Sequence, residues 1–228
     1  MIRRLVTAVF LVLPVQGMAN EWPALFDVQN VASGDVLNIR EAPNVSSRII
    51  GSLKANATDI EVIHPNEGET WGLVNSEERA GWVSLAFLSR TLDDWTAPPT
   101  DAVLPGIEDF AITRCFGTEP FWSLEKQRGD ERVSFSILGH DPLLGTLVTR
   151  TESRNVRNRL TAGALLERQL GASQVKMLAT FRGQTCSDGM SDRTYGIDVD
   201  IYFTDPETDG GRTPHMLSGC CSIQPLSE

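Results

Sequence analysis

From Tyr195 to Phe203 the chain reads YGIDVDIYF, and its side chains alternate in polarity with a period of two. Ile197, Val199, Ile201 and Phe203 fall on one face of an extended strand, and Asp198 and Asp200 on the other. That is the pattern of a half-buried antiparallel strand. Short runs of the same kind, bounded by Gly, Pro, Asn and Asp, recur along the chain and set an all-β expectation.

In the first half, Leu37 and Ile39 alternate with Asn38 and Arg40, and Pro43 then ends the ladder and turns the chain. Further strands are expected over Arg48 to Leu53, Thr58 to His64, Thr70 to Asn75 and Ala80 to Ser84. A hairpin-like Pro65-Asn66-Glu67-Gly68 and a closing turn, Leu85 to Leu88, complete the set. Strands at this spacing predict a small all-β barrel. In the second half, strands are expected over Phe110 to Arg114, Phe121 to Lys126, Val133 to Leu138, Gly145 to Arg150, Val175 to Phe181, Tyr195 to Phe203 and Pro214 to Ser218. Leu160 to Gln169 reads as a strand or a short helix.

Four segments follow. Residues 1–19 carry Arg3-Arg4, an apolar run from Leu5 to Val15 and a small-x-small end at Gly17-Met18-Ala19, the pattern of a cleavable signal peptide. The apolar run is shorter than the roughly 20 residues of a membrane span. No Cys follows it for a lipid anchor, so a periplasmic or secreted protein is expected. Residues 20–90 form the first β domain. Residues 91–108, with Pro98, Pro99, Pro105 and several aspartates, read as a semi-rigid acidic linker that leaves two independent domains. Residues 109–228 form a second β domain.

The net charge is −10, and loss of Arg3 and Arg4 with the signal makes the mature chain two charges more negative. Such a chain repels nucleic acid and anionic lipid and suits a basic protein partner. All four cysteines, Cys115, Cys186, Cys220 and Cys221, lie in the second domain. An even count in an exported chain favours disulfides. Cys220 and Cys221 face opposite sides of a strand, so each takes its own distant partner.

Two resemblances narrow the reading. VASGDVLNIREAPNVSSRIIGSLKANATDIEVI, TWGLV and AGWVSLAFLS, over about residues 27 to 90, resemble the bacterial Src-homology-3 (SH3-like) domain. Asn38, Arg40, Pro43, Gly51, Leu53, Trp71, Val74, Gly81, Trp82, Val83 and Leu88 carry the match. Glu41 stands where a small residue is usual, and Ala55-Asn56 replaces a Lys-Gly turn. The resemblance implies a peptide ligand between the first loop and the barrel aromatics, at Asn38, Arg40, Glu41, Trp71 and Trp82. GTEPFW, CSDGMSDRTY and SGCC resemble a family of bacterial envelope proteins over roughly residues 110 to 225. That family pattern implies Cys186–Cys220 with Cys115–Cys221; the swapped pairing, Cys115–Cys220 with Cys186–Cys221, stays open.

The chemical motifs read as structural. Cys186-Ser187-Asp188-Gly189 imitates the nucleophile of a cell-wall peptidase, but it falls late in its domain and a disulfide is the better role for Cys186. His64, His140 and His215 lie in turn or loop contexts. Asp205 to Gly210 opens like a calcium loop but lacks the closing Glu and flanking helices. Asp188 and Asp192 fit a cation or, equally, a capped turn. Arg150, Arg154, Arg157 and Arg159 form a basic cluster in an exposed loop, and Trp122 reads as core. No catalytic residue, metal site or cofactor is assigned. The expectation is an exported, non-enzymatic envelope protein of two all-β domains that binds peptidoglycan or a wall-associated peptide. An acidic periplasmic inhibitor of a lysozyme-like enzyme is the alternative.

Overall fold

Short alternating strands build both halves of the chain, and no α-helix occurs among the described residues. The computed structural model describes residues 22–91, 112–127, 130–153, 155, 159–167, 174–203 and 216–226. The signal segment 1–19, linker residues 92–108, Arg154, Arg157, the Asp205–Gly210 stretch and His215 lie outside the described residues.

The first half contains β1 (Ala24–Val28), β2 (Val36–Arg40), β3 (Ile49–Lys54), β4 (Ile60–Val62), β5 (Trp71–Ser76), β6 (Arg79–Ser84) and β7 (Leu88–Arg90). A single 3-10 turn, Leu85–Phe87, joins β6 to β7. The strands form two antiparallel sheets, ordered β4-β1-β7 and β3-β2-β6-β5. Phe26, Ile39, Val62, Val74, Val83 and Leu88 close a common core between them. Gly81 lets the sheet close, because a Cβ there would stand 2.6 Å from an Ile39 methyl and 2.7 Å from Ile50.

The second half contains β8 (Arg114–Thr118), β9 (Phe121–Lys126), β10 (Arg132–Ile137), β11 (Leu143–Glu152), β12 (Arg159–Glu167), β13 (Gln174–Arg182), β14 (Ile197–Phe203) and β15 (Met216–Ser222). Each strand pairs with the next, and β15 returns to β8, giving a closed eight-stranded antiparallel meander. Closure removes the free sheet edges that would otherwise invite aggregation. The alternation places Ile197, Val199, Ile201 and Phe203 inside the barrel with Phe135, Leu160, Leu166 and Trp122. Asp198 and Asp200 face outward, where Arg182 bonds both and Ser218 Oγ donates to Asp200 at 2.6 Å. Side chains fill the lumen: Phe135 packs against Trp122 and Phe203 at ring separations of 6.2 and 5.0 Å. A cavity of about 20 Å³, the room of one water, lies among Ile112, Leu124, Val133 and Phe181.

Both disulfides belong to the barrel. Cys115–Cys221 crosses the closing seam, where the two residues are direct partners in the β8–β15 register. Cys186–Cys220 ties an external loop to the other face of β15. The adjacent cysteines thus serve opposite sides of one strand.

Several expectations change. A strand placed at Phe110 to Arg114 is instead β8, starting at Arg114, with Ile112 and Thr113 leading into it. The strand expected to end at Ser218 runs on to Ser222, because both cysteines continue the ladder with β14 and β8. Of Leu160 to Gln169, residues 160–167 belong to strand β12, with Leu160, Ala162, Ala164 and Leu166 inward, and residues 168–169 lie outside the described residues. β1 has no counterpart among the strands expected from the sequence. The two halves are also packed together: Leu25 of β1 joins the barrel's core cluster, although Ala24, Phe26 and Val28 belong to the first core.

Candidate functional site

The outer face of sheet β3-β2-β6-β5 gathers four of the five residues that the sequence nominates. Arg40 stands opposite Trp82, Trp82 opposite Leu73, and Trp71 lies two residues along β5 on the same side. Asn38 precedes Arg40 on that face of β2, whereas Leu37 and Ile39 point into the core. Half-buried Trp82 meets His64 edge-on at 5.7 Å. Arg40 Nη1 donates to the Ser47 carbonyl at 2.8 Å, which fastens the loop after β2. Glu41 is not part of this row. It lies beyond the strand, and Arg48 holds its carboxylate at 2.7 Å in an exposed ion pair. The hydrogen bond and charge of Arg48 lower its pKa.

A second surface arises where the halves meet, and CSDGMSDRTY builds most of it. Asp188 makes a capped turn: its carboxylate accepts from the Met190 and Ser191 amides, each at 2.9 Å, and from Ser191 Oγ at 2.7 Å. Burial pushes the Asp188 pKa upward, but these donors and Arg193 outweigh it and hold the pKa below the ordinary value. Gly189, at φ 71°, supplies the left-handed residue the turn requires.

Beyond the turn, the chain clasps the β5–β6 hairpin. The Ala80 amide donates to the Asp192 carbonyl and the Asp192 amide to the Glu78 carbonyl, both at 2.9 Å. Asn75 Nδ2 donates to the Thr194 carbonyl at 2.8 Å, and the Thr194 amide returns a bond to Asn75 Oδ1 at 3.1 Å. Arg193 Nε donates to the Glu77 carbonyl, and Arg193 Nη2 reaches Glu78 at 3.3 Å. Cys186 at the start of this segment is bonded to Cys220, so its sulfur anchors the clasp.

The clasp borders a cleft of about 430 Å³ between the halves. Glu61 of β4 is 7% exposed there and accepts from Ser222 Oγ at 2.5 Å and from the Ile223 amide at 3.4 Å. Burial raises its pKa to about 7 against the opposing effect of these two donors. Tyr195 is raised by burial as well, in part offset by Arg193. Sequence reading singled out neither Glu61 nor Tyr195 as site residues. Glu61 does interrupt the apolar run Ile60 to Ile63 with a carboxylate, and that was the available signal.

Compared with protein-family models, with curated proteins and with solved structures, the chain matches none of them.

Proposed function

We propose that the protein is an exported, non-enzymatic component of a bacterial envelope that binds peptidoglycan or a wall-associated peptide through its first domain. The observation that carries this reading is the shared outer face of Asn38, Arg40, Trp71 and Trp82. A guanidinium and two indole rings on one sheet face suit a peptide backbone and a carboxylate or amide group, since Arg40 keeps N–H donors beyond the one that Ser47 takes and the rings offer flat apolar contact. Two disulfides agree with an oxidising compartment.

The test is co-sedimentation of the full chain with purified peptidoglycan. Asn38→Ala with Arg40→Gln should lower the bound fraction about tenfold, equivalent to roughly 1.4 kcal/mol, while circular dichroism shows the variant still folded at the assay temperature. Sedimentation of the unaltered chain no greater than that of serum albumin refutes the reading.

A second reading, an acidic inhibitor of a lysozyme-like enzyme, draws on one observation. Glu67 and Glu69 on the β4–β5 connection and Glu77 and Glu78 on the β5–β6 turn are exposed, one pair at each end of β5, in a chain of net charge −10. A surface of this net charge steers basic partners. Protection of a lysozyme substrate by the protein, lost at high salt, distinguishes this reading from the first.

A further inference from the structure

We propose that the cleft between the two halves is a binding site for the C-terminal carboxylate of a short peptide, held by Arg114 and Arg193 against the Phe116–Tyr195 wall. The cleft volume of about 430 Å³ lies in the range of small-ligand sites and admits two or three residues. Its position is distinct from the sheet face of Asn38, Arg40, Trp71 and Trp82, and the inference does not rest on the role given to that face.

Both arginines line the cleft. Arg114 lies over the Phe116 ring at 5.6 Å, and that ring meets Tyr195 edge-on at 4.9 Å. Arg193 is oriented by its bond to the Glu77 carbonyl. Their acidic partners are loose and solvent-facing: Arg114 to Glu125 at 3.4 Å and Arg193 to Glu78 at 3.3 Å. Pairs of this kind contribute little, so a carboxylate ligand displaces them at small loss. Arg and carboxylate match in geometry through paired N–H···O bonds, which an ammonium ligand lacks here.

Below about pH 7 the one buried acid of the cleft, Glu61, sets little charge against an anion. Both Glu61 oxygens are occupied by Ser222 and Ile223, and burial favours its neutral form up to about pH 7. Glu77 is exposed at the rim, where water screens its charge. Phe116 and Tyr195 then offer an aromatic wall to an apolar last side chain.

The experiment titrates the full chain with N-acetyl-dialanine, with its C-terminal amide and with acetate, followed by amide chemical shifts. The acid should bind with shifts centred on Arg114, Phe116 and Tyr195, and the amide about tenfold more weakly or worse. Arg114→Gln should weaken the acid by a similar factor without a change in melting temperature, because this side chain is 53% exposed. Asn38→Ala with Arg40→Gln should bind the acid as the unaltered chain does, which separates this site from the sheet face. Equal binding of acid and amide, no binding up to about 10 mM, or an Arg114→Gln variant that binds normally overturns the proposal. Acetate binding as tightly as the peptide overturns it too, since that marks an adventitious anion only.

Discussion

At the scale of single residues, Glu61 is the group with the clearest pH consequence. Its ordinary pKa of 4.5 rises to about 7 in the folded chain because burial disfavours the charge. The folded state therefore holds a proton that the unfolded state releases. Its contribution to stability is complete below about pH 4.5 and is lost as pH rises through about 7. Glu61→Gln keeps the shape and an acceptor for Ser222 without the charge. It should flatten the stability profile between these limits and exceed the unaltered chain at pH 8 by up to about 3 kcal/mol, on the scale of 1.36 kcal/mol per pKa unit. Urea denaturation at pH 5 and pH 8 measures this. An unchanged slope in the variant places the titration elsewhere.

At the scale of elements, the disulfides rank differently. Cys115–Cys221 spans a separation of 106 residues across the closing seam, and Cys186–Cys220 spans 34. Loop-closure entropy gives about 4.7 kcal/mol for a 100-residue loop and about 3 for a 15-residue loop, so the seam bridge should stabilise more. The β8–β15 register has only three residue pairs, so its closure also depends most on a covalent tie. Cys115→Ala with Cys221→Ala should lower the denaturant midpoint more than Cys186→Ala with Cys220→Ala. The reverse order means that the external loop, and not the seam, limits barrel stability.

Elements also show what was legible in the chain. β14 and β13 were readable because one face is buried and the other wet: Val175, Met177, Ala179 and Phe181 alternate with exposed or half-exposed neighbours. β1 was not, because both its faces are covered. Ala24, Phe26 and Val28 pack into one core and Leu25 into the other, which erases the period of two. The sheet-face residues were nominated through a motif, and alternation accounts for their common side. The cleft has no signature in the chain because its members, Glu61, Asn75, Arg114 and Tyr195, come from distant parts of the sequence. CSDGMSDRTY looked like a site or a turn; its main-chain pairing with the β5–β6 hairpin has no signature in side-chain chemistry.

At the scale of the whole molecule, the Pro-rich linker suggested independent domains, but the packing argues for coupled ones. Leu25 is buried in the barrel core, and Glu61 bonds to Ser222 and Ile223. The β-bridge between Arg79 and Asp192 adds backbone hydrogen bonds, and the Asn75–Thr194 pair adds bonds between side chain and backbone. Gly196 admits Pro23 so closely that a Cβ would stand 2.9 Å from the ring. Undocking thus exposes a buried apolar side chain, worth about 1.5–3 kcal/mol, and gives up several hydrogen bonds, each worth about 0.5–1.5 kcal/mol net. Calorimetry of the full chain should therefore give one transition, with calorimetric and van't Hoff enthalpies equal. Gly196→Val, by forcing Pro23 away, should split that transition into two while both disulfides stay intact. Two transitions in the unaltered chain would show that the contacts between the halves are too weak to couple them.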